Sequence, residues 1–588
     1  MSRVGDDLEL DRFDRFLDEW SRRDFLKGMG GAMAASLFFA GGLEALLAAC
    51  GPGNGGTNQN VKKGGHVTEA TTSDPTIFHP IFISDTASLI PGNMLFLGLL
   101  EAGGDGNLKP ALAKTVPTVA SDQLTYKFDL RQDAYWSDGK QITSDDVVFT
   151  YDLMHGTKYD YKKINSRYYP DLEQYLDTVT APDKFTVVMK TKTPYAPFLT
   201  GYAFGPLPKH VLEPVAINSP ADFRKNDYLT APTVVSGAFT FGKWDKTQQV
   251  VLNANSKYVR GRPNVDQYVI KNVGTDQAAV NQIKTGEVDI AGPPPSLWDD
   301  LATLSDKIDR VSFVASSYEY YGYNVDPNNP KRPVSGKIFG DPQTGKLVRQ
   351  ALYYAVDRQQ LADKVYFKQA EPAYSVEYKT QWSLADKSQL PNYTHDTKKA
   401  ADLLDQAGWK PGADGVRTKN GVRLSFELLT NQGNAAREST VQVLSEAWRQ
   451  IGVEAKPKTV QFTEYVATST TRDVDTYMGG IVSGGISDPD LSQIYHSRVI
   501  GKGLNRMGYS NPQVDQLLDE GVKVLDRSQR KKIYVQLQQI LMDELPLAML
   551  LWPKSLWAVS KRVQNFAVGP FNRYDRPWIK DVYVTDGK

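Results

Sequence analysis

The chain has 588 residues, with 68 basic and 68 acidic side chains, a single cysteine and 41% hydrophobic residues. Balanced charge excludes the strongly basic field by which proteins condense nucleic acid. A chain beyond about 300 residues can bury a large core and usually divides it among several domains. With one cysteine, no internal disulfide is available to stabilise that core.

The first element in chain order is an apolar segment, residues 28–49. It follows the paired arginines Arg22 and Arg23 and ends in Leu47-Ala48-Ala49-Cys50. This order resembles a twin-arginine export signal that ends in a lipoprotein cleavage box, which implies cleavage before Cys50 and acylation of its thiol. The alternatives are an uncleaved signal anchor, since the segment is long enough to span a bilayer, and a buried core helix.

Residues 50–63 are predicted to be a flexible tether, because the run GPGNGGTNQN from Gly51 to Asn60 has no apolar group that packs. No later apolar run approaches the roughly 20 residues of a membrane helix. We therefore expect an extracytoplasmic protein, at the cell surface or in the periplasm, that is anchored to the membrane only by its lipid. Without residues 1–49 the chain keeps 62 basic and 59 acidic side chains, which again gives no reason to expect a nucleic-acid partner.

From Gly64 onward, strand-like and helix-like patterns alternate without a fixed repeat, which favours mixed α and β layers over a solenoid. Apolar and polar residues alternate from Leu124 to Arg131, as in a strand with one buried face. A turn at Ser137-Asp138-Gly139 follows. Thr143 with Asp146 three residues later then predicts a capped helix start, whose apolar stripe is Val147, Val148, Tyr151 and Met154.

Two later segments show apolar residues at helical spacing. The first contains Val348, Ala351, Leu352, Ala355 and Val356; the second contains Ala400, Leu403, Leu404 and Ala407, followed by Gly408 as the predicted C-cap. Packing against a core explains both stripes completely, so we assign them no chemistry.

The run FDLRQDAYWSDGKQITSDDVVFTYDLM, residues 128–154, resembles a signature of the extracytoplasmic solute-binding proteins of the peptide/nickel class, family 5, that serve ABC importers. Other similar motifs follow the family's order: DGNLKPALAK at 105–114, LPKHVLE at 207–213, VVLNANSKYVRGRPNVD at 250–266, IKTGEVDI at 283–290, LVRQALYYAVDR at 347–358, AADLLDQAGW at 400–409 and MGYSNPQVDQLL at 507–518. The resemblance covers nearly all of residues 64–560.

The resemblance implies an α/β fold of the periplasmic-binding-protein type II, with three lobes of which two close on a ligand about a hinge of crossing strands. By analogy, lobe I takes residues 61–96, 231–318 and 544–588, lobe II takes 97–230, and lobe III takes 319–543. It implies a non-catalytic monomer that needs separate ABC permease and ATPase subunits, in agreement with the absence of a G-x-x-x-x-G-K-[ST] loop from the sequence.

In peptide-binding members of the family, an aspartate before a conserved Asp-Pro pair binds the free amino group of the ligand. Alignment on Asp488-Pro489 places Gly485 at that position. A buried ammonium group without a countercharge costs several kcal/mol. A peptide with a free amino terminus is therefore disfavoured unless another acid substitutes.

Ten tryptophans and thirty tyrosines fit an oligosaccharide, whose rings stack on aromatic side chains, and an oligopeptide is the alternative solute. Most of these aromatic residues are expected in the core. The regions that line the cleft in related proteins imply the following ligand contacts: Trp298, Tyr323, Trp382, Ser483, Gly485 and Asp488.

Metal binding and catalysis find little support in the sequence. The six histidines show no metal-ligand spacing, so we expect no metal site and no cofactor, although nickel and haem-like ligands occur in the family. The acid pairs Asp145-Asp146 and Asp299-Asp300 raise the alternative of a glycoside hydrolase, but adjacency does not establish the separation of about 5 to 9 Å that such enzymes use. A sensing or chaperone-like lipoprotein without an importer is a further alternative.

Overall fold

The computed structural model describes residues 61–83, 85–166, 169–483, 488–501 and 503–587. The export and anchor residues Arg22, Arg23 and Cys50 and the predicted ligand residue Gly485 lie outside these ranges. Within them, none of the helices combines the length and the hydropathy that a membrane crossing requires.

The strands are β1 His66–Thr71, β2 Leu100–Ala102, β3 Leu108–Pro110, β4 Thr125–Asp129, β5 Leu176–Asp183, β6 Thr186–Thr191, β7 Phe239–Asp245, β8 Gln249–Ala254, β9 Gln267–Asn272, β10 Ile290–Ala291, β11 Ile308–Val314, β12 Ser317–Tyr323, β13 Ala370–Pro372, β14 Lys410–Pro411, β15 Arg417–Lys419, β16 Val422–Arg423, β17 Ser425–Asn431, β18 Glu454–Val460, β19 Thr476–Val482, β20 Leu547–Ser560, β21 Val563–Gln564 and β22 Tyr583–Val584.

The α-helices are α1 Thr86–Leu95, α2 Ser144–His155, α3 Tyr161–Ile164, α4 Tyr169–Tyr175, α5 Phe198–Tyr202, α6 Lys209–Asn218, α7 Asp276–Thr285, α8 Pro333–Phe339, α9 Gly345–Tyr354, α10 Arg358–Lys364, α11 Thr397–Gln406, α12 Ala435–Arg449, α13 Phe462–Thr470, α14 Ser492–Tyr495, α15 Pro512–Gly521 and α16 Arg527–Glu544.

A large mixed sheet organises the molecule. Its strands follow the order β18-β17-β19-β12-β20-β10-β1-β9-β8-β7, and β11 and β13 also pair with β20. The pairs β1–β9, β1–β10, β17–β18 and β17–β19 are parallel, while β12 and β20 pair antiparallel with their neighbours. Smaller sheets, including β4-β6-β5, lie apart from it. The prediction of a mixed α/β fold is confirmed.

Strand β20 belongs to both halves of the large sheet. Its first part pairs with β12, from Gly322 opposite Leu547 to Glu319 opposite Leu551, and its second part pairs with β11, up to Ile308 opposite Ser560. The run from Leu547 to Trp552 is buried throughout, as expected for a strand covered on both faces. Since β11 and β12 are consecutive in the chain, the backbone passes between the two halves at residues 315–316 and again near Pro553. The hinge that the resemblance implies stays a prediction.

The local patterns from Leu124 to Met154 form the predicted structures. In β4, Tyr126 and Phe128 are buried while Lys127 and Asp129 are exposed. The backbone N–H of Thr143 donates to Asp146 Oδ2 at 3.0 Å, which is one half of the predicted capping box. Of the predicted stripe, Val147, Tyr151 and Met154 are buried on the inner face of α2, whereas Val148 is only half-buried. Asp146 therefore serves as a structural cap, in agreement with the non-catalytic interpretation of the Asp145-Asp146 pair.

The later helical stripes are confirmed as core elements. Val348, Ala351 and Leu352 in α9 are fully buried, as are Ala400 and Leu404 in α11. Helix α11 ends one residue earlier than expected, with Ala407 as its C-cap. Gly408 follows with φ at +86°, a left-handed conformation that glycine adopts without strain.

Candidate ligand-binding site

A cavity of about 480 Å³ lies between several stretches of the chain that are far apart in sequence. Its lining residues come from residues 105–126 and 196–200, from residues 378–382 and 488–530, and from Ser316 and Phe571. Ser316 occupies one of the two backbone crossings between the halves of the sheet. The cavity thus adjoins this crossing. The side chains that line it are Asp105, Asn107, Val119, Tyr126, Ala196, Leu199, Thr200, Ser316, Tyr378, Thr380, Gln381, Trp382, Asp488, Leu525, Arg527, Arg530 and Phe571, with Gly106.

Trp382 is the largest aromatic residue in the cavity wall. The guanidinium carbon of Arg527 lies 4.8 Å from the centroid of its ring and that of Arg530 lies 5.6 Å away. Cations at this distance from an indole face are attracted by its quadrupole. The two arginines and Trp382 therefore form a single packed group on one side of the cavity.

Helix α16 positions this group. Arg527 and Arg530 lie in its first turns, where Asp526 caps the helix by accepting from the backbone N–H of Gln529 at 2.9 Å. Further along, the buried Gln538 donates to Ser383 O at 2.9 Å and accepts from Ser375 Oγ at 2.7 Å. Because these bonds tie the loop of Trp382 to the helix that carries the arginines, the group is rigidly assembled.

The charges that line the cavity are partly paired. Asp488 accepts from both terminal nitrogens of Arg530, and the two side chains are only 10% and 6% exposed. Asp105 pairs with Lys109 at 2.7 Å. Arg527 has no carboxylate within ion-pair distance among the described residues. The cavity therefore presents one uncompensated positive charge.

A buried carboxyl group, Glu377, lies behind the loop of Trp382. Ser383 Oγ donates to its Oε1 at 3.0 Å, and no described residue forms a hydrogen bond with its Oε2. Burial raises the pKa of Glu377 to about 8, and the nearby Asp488 charge acts in the same direction, while the Ser383 hydrogen bond opposes it. The group is consequently protonated at neutral pH and adds no charge to the site.

The structure brings three of the predicted ligand residues to the cavity region. Trp382 and Asp488 line the cavity. The backbone N–H of Ser483 donates to the carbonyl of the cavity residue Ser316 at 2.8 Å, which places Ser483 beside it. Asp488 is engaged by Arg530, so its carboxylate contributes to the wall as half of an ion pair.

Trp298 and Tyr323 lie elsewhere. Tyr323 has no exposed surface and its hydroxyl donates to Arg349 O at 3.2 Å, so its side chain belongs to the core. Trp298 is 7% exposed and packs under Arg310, whose guanidinium carbon is 5.0 Å from the ring. Ligand contact at these two positions stays a prediction that the cavity wall does not support.

Sequence reasoning missed Asn107, Thr200, Arg527, Arg530 and Phe571 in the cavity wall. Asn107 is part of the family-like run DGNLKPALAK, which the resemblance assigned no ligand role. Arg527 and Arg530 are three residues apart just after a helix cap, and this spacing places both on one face. That signal was available in the sequence. Nothing in the sequence pattern singles out Thr200 or Phe571.

No group of three or more histidine, cysteine, aspartate or glutamate side chains within the described ranges is arranged to hold a metal ion. His79 and His496 are buried, and His210 Nε2 lies 2.8 Å from Asp138 Oδ2.

A mixed sheet that two halves share through one strand, with a cavity beside the crossing, defines the class: an α/β binding protein of the periplasmic-binding-protein-like type. Comparison with known proteins identifies the family within this class. Residues 107–501 match the model of the bacterial extracellular solute-binding proteins, family 5. The chain belongs to this family.

Two relatives illustrate the match. The oligopeptide-binding protein AppA of Bacillus subtilis is 30% identical over 539 residues, which cover 90% of this chain and 94% of that protein. Protein XP55 of Streptomyces lividans is 29% identical over 531 residues, 89% of this chain and 90% of the relative.

Solved structures agree with the fold. AppA of Bacillus subtilis in complex with a nonapeptide superposes with a TM-score of 0.76 at 29% identity, covering 89% of this chain and 99% of that one. NikZ of Campylobacter jejuni in complex with Ni(L-His) has a TM-score of 0.75 at 24% identity, covers 88% and 99% of the two chains, and supports the fold alone. The family is one of solute-binding proteins, so the interpretation of the chain as a non-enzymatic binder is confirmed.

Proposed function

We propose that the chain is a lipid-anchored extracytoplasmic receptor that captures oligopeptides and delivers them to an ABC-type permease and ATPase. The three-lobe division given above, with closure at residues 315–316 and near Pro553, is part of the proposal. Closure around a solute would give the liganded protein a shape that a membrane partner distinguishes from the open one.

The observation that carries the proposal is the composition of the cavity wall. It combines aromatic side chains (Tyr126, Tyr378, Trp382) with amide and hydroxyl groups (Asn107, Thr200) and one uncompensated cation, Arg527. Such a wall accepts apolar side chains, backbone amides and a negative group together, as a peptide presents them. The oligopeptide-binding relative, described in complex with a nonapeptide, supports the same choice.

An oligosaccharide fits this wall less well. A sugar ring stacks on a free aromatic face, but Arg527 and Arg530 already lie over the ring of Trp382. Stacking would require these guanidinium groups to move, with loss of their cation–π attraction of about 0.5–1 kcal/mol each at exposed sites. We therefore place the sugar second to the peptide.

The sequence assigns no carboxylate to position 485, where peptide-binding relatives hold the amino group. Asp488 is engaged by Arg530 and Glu377 is protonated at neutral pH, so neither is a ready substitute. We therefore expect no preference for a free amino terminus, and acetylated peptides should bind at least as well as free ones.

The test is to incubate the purified protein with di- to nonapeptides, free and acetylated, and in parallel with cello-, xylo- and manno-oligosaccharides. Melting temperature and the mass of the retained ligand are then measured. A ligand at 100 times its dissociation constant stabilises the fold by about 2.7 kcal/mol. Retention of intact peptides supports the proposal. Retention of sugars alone contradicts it, and shortened products would contradict a pure binder.

A further inference from the structure

A group of buried tyrosines, formed by Tyr318, Tyr320 and Tyr477, adjoins the cavity. Tyr378 lines the cavity, and its ring stacks on that of Tyr318 with centroids 5.1 Å apart. Tyr318 lies 6.0 Å from Tyr320, which in turn lies 6.0 Å from Tyr477, both in edge contacts. The cavity wall is therefore continuous with a buried aromatic array.

Several buried polar atoms of this array and of the neighbouring residues 495–506 have no hydrogen-bond partner among the described residues. They are the hydroxyls of Tyr318, Tyr477 and Tyr495 and the Nε of Arg506. The three tyrosine side chains are at most 1% exposed. Buried polar atoms in native proteins are nearly always bonded, because an unpaired one has lost its hydrogen bonds to water without replacement. Four such atoms in one region indicate a place where a polar group binds.

The charge of the region is positive. Arg506 has no carboxylate within ion-pair distance in the part of the chain that the structure describes. The nearby Glu319 is engaged by Arg437 at 2.8 and 3.0 Å, so that pair is neutral. Burial raises the pKa of Tyr320, and the charge of Arg506 is the first influence that opposes the rise. Burial likewise raises the pKa of Tyr477, and the charge of Arg506 is among the influences that oppose that rise, so this charge acts on two tyrosines of the array.

The tyrosine hydroxyls are donors under all ordinary conditions. Burial raises the pKa of Tyr477 and of Tyr495 well above the usual value, so neither group ionises near neutral pH. Gly479 lets a further tyrosine pack closely against β19, since a Cβ there would lie 2.4 Å from the hydroxyl oxygen of Tyr465. Hydroxyl donors and a guanidinium group together suit an acceptor with negative charge.

We propose that Arg506, with the hydroxyls of Tyr477 and Tyr495, forms a subsite that binds a carboxylate of the solute. This inference rests on the proposed function, because a peptide supplies such a group from its carboxyl terminus or from an aspartate or glutamate side chain. Phe462, 57% exposed with its ring 6.3 Å from Tyr465, adds an apolar surface near the same region.

Three pools of random acetylated nonapeptides test the inference on the full protein. The first pool lacks acidic side chains and has free carboxyl termini, the second lacks acidic side chains and is amidated, and the third is amidated but contains aspartate and glutamate. Retained peptides are identified by mass spectrometry, and the dissociation constant of the best peptide is measured by calorimetry.

Retention of the first pool over the second identifies the carboxyl terminus as the bound group, and retention of the third over the second identifies an acidic side chain; either supports the subsite. Equal retention of all three pools overturns the subsite and leaves peptide binding intact. Retention of none overturns the proposed function and the subsite with it.

Single substitutions test which side chains bind the carboxylate of the solute. We expect Arg506→Gln to weaken binding of the carboxylate peptide about tenfold to a hundredfold and to remove the preference for acid over amide. Arg506→Lys should restore part of that preference, and Tyr477→Phe should weaken binding several-fold with the packing unchanged. Arg423→Gln, an exposed arginine in the separate β14-β15-β16 sheet, is the control that leaves binding unchanged. A full acid preference in Arg506→Gln, with an unaltered melting temperature, contradicts the assignment.

Discussion

Arg576 donates to both carboxylate oxygens of Glu69, although 507 positions separate the two residues in the chain. Their side chains are 1% and 4% exposed, and the hydroxyl of Tyr268 also bonds to Glu69. The pair joins β1 to the segment that follows β21.

Breaking this buried pair should be costly. Arg576→Met leaves the Glu69 carboxylate buried without its countercharge, and we expect a loss of about 3–5 kcal/mol in the free energy of unfolding. The double variant Glu69→Leu/Arg576→Met should recover most of the loss, because it removes both charges. Urea unfolding measures the three proteins. Equal losses in the single and double variants would show that packing, and not the unpaired charge, sets the cost.

Local elements were predictable because their signals are local. The alternation around Tyr126 and Phe128 and the Thr143-to-Asp146 box each use contacts within a few residues, so the sequence alone indicates β4 and α2. The family resemblance extended this to the mixed α/β fold. The shared strand β20 was not predictable from its pattern, because a continuous apolar run such as Leu547 to Trp552 indicates burial but not which strands pair with it.

The site was predictable in part. Trp382 and Asp488 were named from regions that line related clefts, and both are in the wall. Tyr323 comes from such a region too, but its side chain points into the core, and a region-level resemblance does not determine which face of a strand a residue occupies. Phe571 and Asn107 meet only in the folded chain, 464 positions apart, so no spacing rule could pair them.

His79 makes the fold sensitive to acid. Its ring is 1% exposed and packs against Phe82 and Phe223, and neither of its nitrogens has a hydrogen-bond partner in the described part of the chain. Burial lowers its pKa from 6.5 to about 3. The pKa of His79 is lower in the folded state than in the unfolded state. The stability that neutral His79 contributes is therefore fully present above pH 6.5 and is lost as the pH falls toward 3. The free energy of unfolding falls by about 1.4 kcal/mol per pH unit in this range. His79→Leu should reduce this slope in urea unfolding between pH 6.5 and 4. The exposed His66→Leu is the control, and equal slopes in both variants would contradict the assignment.

Glu377 should make the fold less stable as the pH rises, because its carboxyl group is buried. Its pKa rises from 4.5 to about 8, chiefly because it is buried. Since the folded pKa is the higher one, its contribution is fully present below pH 4.5 and is lost as the pH rises through 8. Glu377→Gln, which is neutral at every pH and still accepts from Ser383, should therefore lose less stability than the parent between pH 5 and 9 in thermal unfolding. Glu371→Gln, an exposed acid paired with Lys379, should follow the parent curve. A parent-like curve for Glu377→Gln would mean that Glu377 is ionised in the fold.

The proposed lipid anchor depends on one thiol. If Cys50 is acylated after cleavage, Cys50→Ala should release the protein from membranes into the soluble fraction of fractionated cells. Thr57→Ala, in the predicted tether, is the matched control and should stay with the membrane. Retention of Cys50→Ala in the membrane fraction would support an uncleaved signal anchor instead.

Substitutions of Trp382 and Arg527 distinguish a peptide from a sugar as the solute. If a peptide binds against it, Trp382→Ala should raise the dissociation constant about tenfold, because truncated aromatic anchors at the centre of a site typically cost more than 1 kcal/mol. Arg527→Gln should also weaken binding of a peptide that carries a negative group, since it removes the uncompensated charge of the cavity. A sugar should instead bind more tightly to Arg527→Gln, because the variant uncovers a face of the indole ring. Tyr135→Ala, which removes an aromatic residue 40% exposed and outside the cavity wall, should leave the constant unchanged in calorimetry. Tighter sugar binding and unchanged peptide binding in Arg527→Gln would therefore reverse the proposed choice of solute.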